Sequence, residues 1–406
     1  MAPRIATHRS VTAPAGQTLF ADYAPPGRGL KRRRISNGAA RLLLPSLLLC
    51  LPAVAAPPVA DNGGFRCEAS TATLQPPSEL PPSLLPEWND RELLHQRAGA
   101  DHGPDSDMGA LASVLPACSE GKVPVAVMDL SRNAPKGNPL AYSRGPTGTS
   151  QGRAGDASNP CGTGDSIDGF CYYYASTGAI TVAGGSGMVL EIEAPLVDTG
   201  GVVDSGSHSL GEIAVVGVGS TGINTAELGF MVHAAGRLPY PPTLFVYHFV
   251  NGQSTCYNGC GWIQYSNTWY PGMDLTSLVG SRVYTGWVHA PGAWWAWFGD
   301  QWLGYLEDAN WDGAFTKSDY VEWFGEVAEV PNAGTIPPQT QMGNGTFAED
   351  PGSASITTPC IVDAATGGCL YGRQAIFTTV TSPEYYSLDE KGPSGFRYGG
   401  PGAPAQ

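Results

Sequence analysis

Positive charge is scarce in this 406-residue sequence, which has 22 Lys and Arg residues against 36 Asp and Glu residues. Eight of the basic residues and one of the acidic residues precede residue 57, so the rest carries 14 basic and 35 acidic residues, a net charge of −21. Such a chain repels nucleic acid at neutral pH, and no nucleic-acid partner is predicted. It also gains little positive charge in acid, which suits a protein that stays folded there.

Long apolar runs are also missing, because no stretch beyond the N-terminus approaches 18 apolar residues. At the N-terminus, KRRR (31–34) precedes RLLLPSLLLCLPAVAA (41–56), a run too short to span a bilayer that ends in small residues. This order is typical of a secretory signal. We predict that residues 1–56 are removed near Ala55 and that the mature protein is secreted, extracellular or periplasmic, without a membrane partner.

Metal and nucleotide motifs are not found either. The sequence has no H-E-x-x-H and no P-loop, and its seven histidines are scattered along the chain. Neither a metal site nor a cofactor is predicted.

The nine cysteines indicate disulfides. Cys50 falls within the predicted signal, and the remaining eight form an even set of mostly close neighbours, which after an export signal favours disulfides. A zinc site would need tighter Cys or His spacing than CYNGC provides. The predicted disulfides are Cys67–Cys118, Cys161–Cys171, Cys256–Cys260 and Cys360–Cys369.

Glycine (54) and proline (35) are abundant, and they separate two regions of different character. Residues 57–150 are proline-rich and predict a propeptide-like or linker region, with a short helix at 89–100. From about residue 165, eleven or more short apolar segments alternate with glycine-rich turns. This pattern predicts an all-β fold, an antiparallel β-sandwich of two curved, packed sheets with few short helices, one of them at 311–320.

Carboxylates recur on the predicted strand faces. In YVEWFGEVAEVP (320–331), alternation sets Glu322, Phe324 and Glu326 on one side and apolar residues on the other. In NTAELGFMV, Glu227 likewise points away from the apolar side. Two opposed carboxylates suit acid–base chemistry, because proximity and burial push their pKa values apart.

Alternation alone does not select the reactive pair. Glu191, Glu193 and Glu212 also lie on predicted strands, and any exposed strand face can carry acids. Glycines next to two of the candidates, Gly229 and Gly325, predict open space for a ligand across the sheet.

A family resemblance does select a pair. The segments GAWWAWFGDQWLGYL, VEWFGEV, QTQMGNGTFAED and YGGPG occur in the order and spacing of the neprosin family of secreted glutamic peptidases. NTAELGFMV and TLFVYHFVNGQSTCYNGCGWIQ resemble two earlier segments of that family, so the resemblance covers residues 165 to 402. The catalytic glutamates of the family fall on Glu227 and Glu326, which leaves Glu322 as a surface residue.

The resemblance implies a catalytic β-sandwich domain, here residues 151–406, made as a zymogen behind a propeptide. It implies an acid-acting endopeptidase that cleaves at proline, a prolyl endopeptidase acting on peptide or protein substrates, and we expect a monomer. One glutamate would activate water and the other would protonate the leaving amine.

Four further residues are candidates around this pair. Asn224 and Gln341 are candidate donors to the oxyanion, and Trp295 and Phe324 are candidate contacts for the substrate. Phe324 stands where the family usually has Gly, which makes proline specificity a weaker implication than the peptidase class.

Two alternatives stay open. A glycoside hydrolase on a similar sandwich would use the same two carboxylates on a sugar. A non-catalytic secreted binding module would keep the groove and lose the chemistry.

Overall fold

The structure, a computed structural model, describes part of the chain. The described residues are 65–69, 118, 122–126, 161, 164–167, 169–201, 205–234, 240–330, 338–371 and 377–403. Every described residue belongs to the unit Pro58–Gln406. The predicted signal at 1–56 and the predicted helix at 89–100 lie outside the described residues.

Antiparallel strands account for most of the regular structure of the described residues. In chain order the strands are β1 (Phe65–Ala69), β2 (Lys122–Ala126), β3 (Asp165–Ile167), β4 (Phe170–Ala183), β5 (Gly185–Glu191), β6 (His208–Val218), β7 (Ile223–His233), β8 (Pro242–Tyr247), β9 (Phe249–Val250), β10 (Gln253–Ser254), β11 (Trp262–Gln264), β12 (Arg282–Ala290), β13 (Ala293–Phe298), β14 (Gln301–Glu307), β15 (Ser318–Glu329), β16 (Ser355–Val362), β17 (Cys369–Tyr371), β18 (Phe377–Val380), β19 (Ser387–Glu390) and β20 (Gly395–Gly399).

Two large sheets carry most of these strands. The seven-stranded sheet has the order β18-β4-β15-β6-β7-β8, with β3 beside β4. The nine-stranded sheet has the order β11-β14-β13-β12-β5-β16-β20-β19, with β17 beside β16. β1 with β2, and β9 with β10, form two small separate ladders.

The main core lies between the two large sheets. Leu228, Phe230 and Trp323 enter it from the seven-stranded sheet, and Trp287 and Trp294 enter it from the nine-stranded sheet. The predicted alternation is therefore confirmed, and the predicted all-β sandwich is the observed fold.

A polar contact also crosses this core. The Trp323 indole Nε1–H donates to the Ser186 hydroxyl at 3.1 Å, so the buried indole nitrogen is satisfied.

The four predicted disulfides are all present, Cys67–Cys118, Cys161–Cys171, Cys256–Cys260 and Cys360–Cys369. The first belongs to the proline-rich region. It joins β1 to Cys118, and Phe65 of β1 packs against Tyr270, with 5.1 Å between ring centroids. The described parts of this region therefore contact the sandwich itself.

The helix predicted at 311–320 is wrong. A 3-10 turn at Asp308–Trp311 ends there, and β15 already begins at Ser318. Asp312, at the end of the turn, has a left-handed φ of 52°, which stops the helix. Two other 3-10 turns, Thr276–Leu278 and Gly392–Ser394, are the remaining helical segments of the described residues. None of these segments is long and apolar enough to cross a membrane.

Candidate functional site

Four glutamates share the outer face of the seven-stranded sheet, which we call the acidic face. Glu212 lies on β6, Glu227 on β7, and Glu322 and Glu326 on β15. All four side chains are 0% exposed. The sequence interpretation of Glu322 as a surface residue is wrong, because tyrosines and phenylalanines of the same face form a second buried cluster around these acids.

Strand register fixes how the four glutamates are arranged. β6 runs between β15 and β7, and Glu326 pairs with Leu210 while Glu227 pairs with Ala214. Glu227 and Glu326 are thus separated by two strand spacings across the sheet, which is about 10 Å. Along the strand direction they are offset by four residues, which is about 13 Å. The residue of β6 midway between Leu210 and Ala214 is Glu212.

Glu322 has a different relation to Glu227. It pairs with Ala214 as well, so Glu322 and Glu227 share one row across β6. The Ser176 hydroxyl of β4 donates a hydrogen bond to the Glu322 carboxylate. Register therefore offers Glu322 as a rival partner for Glu227.

A short relay orients the Glu227 carboxylate. The backbone N–H of Phe249 donates to the Thr225 hydroxyl at 3.0 Å, and that hydroxyl donates to Glu227 Oε1 at 2.8 Å. Because Thr225 already accepts from the backbone, its own proton is directed at the carboxylate.

A histidine meets Glu326. His208 Nε2 lies 3.0 Å from Glu326 Oε1, and both side chains are fully buried. His208 pairs with Ala328 of β15 on one side and with His233 of β7 on the other. Burial and the neighbouring His208 lower the pKa of His233 from 6.5 to about 4.

Glu212 belongs to the same electrostatic group as Glu326. Burial raises the pKa of Tyr257 well above 10, and the charges of Glu326 and Glu212 add to the rise. Gly229, the β7 neighbour of Glu212, gives it room, because a Cβ at Gly229 would lie 2.7 Å from the Glu212 Cβ. The sequence did not distinguish Glu212 from the other glutamates on predicted strands. What distinguishes it is that β6 pairs with β15 on one side and with β7 on the other, which the sequence does not show.

Gly325 serves the core and not a ligand. A Cβ there would lie 2.5 Å from the Tyr398 ring, and one at Gly211, its β6 neighbour, would lie 2.4 Å from the Tyr398 hydroxyl. The Tyr398 ring therefore packs beneath two glycines of adjacent strands. This contact supports the backbone next to Glu326, and the predicted open space at Gly325 is occupied.

The two candidate oxyanion donors have other partners. The Asn224 amide oxygen accepts from the Asn251 backbone N–H at 2.8 Å, and Asn224 pairs with Gly217 on the side opposite Glu227. The Gln341 amide oxygen accepts from the Leu196 backbone N–H at 3.0 Å. Asn224 therefore lies on the face of β7 opposite to Glu227, and the Gln341 amide oxygen is held by the backbone of Leu196.

The two candidate substrate contacts are separated by the core. Phe324 lies on the acidic face, with its ring centroid 6.2 Å from that of Tyr174. Trp295 lies on the outer face of the nine-stranded sheet, stacked on Tyr305 at 4.3 Å. Trp294 points into the core, as strand alternation next to Trp295 requires.

A family comparison bears on these positions. A model of the family described as Neprosin matches residues 205–401. The segment 205–401 is therefore similar to the Neprosin family. The match includes Glu227 and Glu326, together with Glu212, Glu322 and His208.

Solved structures that resemble this chain share little of its sequence. Scytalido-glutamic peptidase with a peptide-based transition-state analogue has 9% identity and a TM-score of 0.28, covering 56% of this chain and 97% of that chain. The apo Crh5 transglycosylase has 9% identity and a TM-score of 0.22, covering 40% and 64%. CG-16, a homodimeric agglutinin from chicken liver, has 10% identity and a TM-score of 0.21, covering 38% and 93%.

Glu193 is a buried acid that lies outside the acidic face. Burial, with a smaller effect of the Glu191 charge, raises the pKa of Glu193 from 4.5 to about 8. The folded protein therefore keeps this proton up to about pH 8, whereas the unfolded chain releases it near 4.5. The stability contributed by the protonated form is complete below pH 4.5 and is lost as the pH rises through 8.

We expect Glu193→Gln to flatten this pH dependence, because the amide stays neutral throughout. Between about pH 5 and pH 8 the wild type should lose a few kcal/mol more of its free energy of unfolding than the variant. Thermal denaturation at several pH values measures the difference. Glu384→Gln, at an exposed position, is the matched control, and parallel curves for wild type and Glu193→Gln would contradict the assignment.

Proposed function

We propose that this protein is a secreted, acid-acting glutamic endopeptidase whose catalytic pair is Glu227 and Glu326. The observation that carries the proposal is their common position. The two glutamates that match the neprosin pattern are both buried on one face of one sheet, with a single strand between them. Four disulfides are compatible with secretion.

The two glutamates act in different protonation states. The ionised carboxylate takes a proton from water as the water oxygen attacks the scissile carbonyl carbon. The protonated carboxyl gives its proton to the amide nitrogen, and the C–N bond breaks to release an amine and a carboxylic acid. Exchange with solvent then restores the starting protonation of the two glutamates.

Glu212 helps to keep one glutamate of the pair protonated while the other is ionised. Three carboxylates on adjacent strands of a buried face repel one another, and like charges in a low dielectric favour protonation of some members. They are expected to titrate as a coupled set. A set that shares protons in this way favours activity at acid pH.

Access to the acidic face requires a change in the chain. Because all four carboxylates are 0% exposed, a peptide reaches them only after some segment moves or is removed. We propose that the propeptide-like region, residues 57–150, is removed before the protein becomes active. N-terminal sequencing of the protein before and after incubation in acid tests the step.

Phe324 is proposed to shape the substrate site, and proline is the proposed residue at the cleaved bond. Phe324→Leu should shift the preferred cleavage sites toward bulkier side chains by about tenfold in relative rate, because space opens beside Glu326. Mass spectrometry of digested peptide mixtures measures the profile. Phe315→Leu, in the core against Trp294, is the control. An unchanged profile in Phe324→Leu would contradict a substrate contact.

One experiment tests the proposed activity. The purified protein is incubated in acid with a mixture of synthetic peptides, some containing proline, and separately with β-glucans. Cleavage of peptides, resistant to serine and cysteine reagents, supports the proposal. Sugar release without peptide cleavage would favour the glycoside hydrolase, and binding without turnover would favour the binding module.

A further inference from the structure

Tyr174 lies beside Glu326 on the acidic face. It belongs to β4, whose register pairs Tyr174 directly with Glu326 of β15. The side chains of such a cross-strand pair share one face of the sheet, with their Cβ atoms about 5 Å apart. The Tyr174 ring is buried in the cluster of the acidic face, with its centroid 6.2 Å from that of Phe324. A phenol therefore stands next to one carboxylate of the proposed catalytic pair.

The backbone of Tyr174 is held on both sides of β4. On one side it pairs with β15. On the other side its N–H donates to the Thr381 hydroxyl at 2.8 Å, and its carbonyl accepts from the Thr381 N–H at 3.0 Å. The position of the phenol next to Glu326 is thus set by main-chain contacts and does not depend on a hydrogen bond of its own hydroxyl.

The Tyr174 hydroxyl has no hydrogen-bond partner among the described residues. The side chain is 1% exposed, and buried hydroxyls are usually paired, because an unpaired one loses its bonds to water without replacing them. An unpaired polar group on a buried face, next to a candidate catalytic carboxylate, indicates a partner from outside the chain. Within the proposed function that partner is the peptide substrate.

The phenol remains a hydrogen-bond donor under the conditions of the proposed reaction. Burial, and after it the charge of Glu326, raises the pKa of Tyr174 well above 10, so the hydroxyl keeps its proton in acid. Asn224, an oxyanion donor expected from the sequence, lies on the opposite face of β7. The Tyr174 hydroxyl offers on the acidic face the donor that Asn224 does not.

We propose that Tyr174 is a catalytic residue whose hydroxyl donates a hydrogen bond to the carbonyl oxygen of the peptide bond being cleaved. The inference rests on the proposed peptidase function and adds a third residue to Glu227 and Glu326. As the water oxygen bonds to the carbonyl carbon, the π electrons of the C=O bond move to its oxygen, and the phenol stabilises that negative charge. When the C=O bond re-forms, the C–N bond breaks and the nitrogen takes a proton from the protonated glutamate. The phenol keeps its own proton throughout.

Tyr174→Phe tests the proposal, because it removes one oxygen atom and keeps the ring next to Phe324. The measurement is kcat and KM in acid for one synthetic peptide that the wild type cleaves. A hydrogen bond that matters only in the transition state affects kcat, so kcat should fall about a hundredfold while KM stays close to that of the wild type. Because the hydroxyl has no partner among the described residues, the melting temperature should not fall.

Tyr386→Phe is the matched control. Tyr386 is also fully buried, but it lies in the main core, and its hydroxyl donates to the Thr340 carbonyl at 2.8 Å. This variant leaves a buried carbonyl without its donor, so it should melt a few degrees below the wild type. It should cleave the peptide at close to the wild-type rate. The two variants are thus expected to differ in opposite ways, one in rate and the other in stability.

Three results would overturn the role of Tyr174. They are an unchanged kcat in Tyr174→Phe, a raised KM at unchanged kcat, and a loss of rate accompanied by a melting temperature as low as that of Tyr386→Phe or by failure to fold. Glu326→Gln separates this inference from the proposed function. If Glu326→Gln is inactive and Tyr174→Phe is fully active, the role of Tyr174 alone fails. If Glu326→Gln is fully active, or if the wild type cleaves no peptide, the proposed peptidase site fails with it.

Discussion

Glu227→Gln and Glu326→Gln should each reduce peptide cleavage by about a thousandfold, the usual contribution of a positioned acid or base. The amide keeps the shape of the side chain but can neither take a proton from water nor donate an acidic one. The fold should survive, because both positions are held in long central strands with their backbones paired on either side. The measurement is kcat/KM at acid pH, with circular dichroism and the melting temperature for the fold.

Glu193→Gln is the matched control for these variants. It also replaces a buried carboxyl by an amide, but Glu193 lies outside the acidic face, so cleavage should continue near the wild-type rate. Loss of activity in this control as well would mean that any buried amide disturbs the protein, and the assignment of Glu227 and Glu326 would lose its support.

Gly325→Ala should damage both stability and activity. The added Cβ would lie 2.5 Å from the Tyr398 ring, closer than real Cβ contacts allow, and Tyr398 is held in the core. Overpacking of this kind costs about 1–3 kcal/mol, which corresponds to several degrees of melting temperature. Because Glu326 is the next residue, we expect the rate of peptide cleavage to fall as well.

The cause can be isolated by a double variant. Tyr398→Val removes the ring that meets the new methyl group, so Gly325→Ala with Tyr398→Val should be less destabilised than the sum of the single variants. Gly368→Ala is the control, since its nearest contact, with the Thr366 hydroxyl, is an ordinary 3.7 Å. A melting temperature of Gly325→Ala equal to that of this control would rule out the close contact.

Much of the fold was predictable because it depends on local alternation. The two sides of β15, the opposition of Trp294 and Trp295, and the local disulfides all follow from residues near each other in the chain. The number and extent of the strands were harder to predict from the sequence. The sequence suggests two strands, at 169–176 and 179–184, where the structure has one, β4. It gives no sign of the strands β16, β17, β19 and β20 near the C-terminus.

The site was harder to predict than the fold because it depends on which distant strands pair. Whether Glu212 lies between Glu227 and Glu326 depends on which strands pair, and β15 reaches β6 from more than a hundred residues away. Burial of Glu322 also depends on partners from β4. Asn224 was a candidate because it is near Glu227 in sequence. It is three residues from Glu227, however, and side chains an odd number of residues apart on a strand point to opposite faces.

The assignment of Glu326 as a catalytic residue is tested most directly by comparing Glu326→Gln with Glu322→Gln. Register places Glu322 in one row with Glu227, whereas the family pattern selects Glu326. Cleavage of a synthetic peptide mixture in acid, followed by mass spectrometry, gives the rate of each variant. We expect Glu326→Gln to be inactive and Glu322→Gln to cleave still. An active Glu326→Gln beside an inactive Glu322→Gln would contradict the assignment.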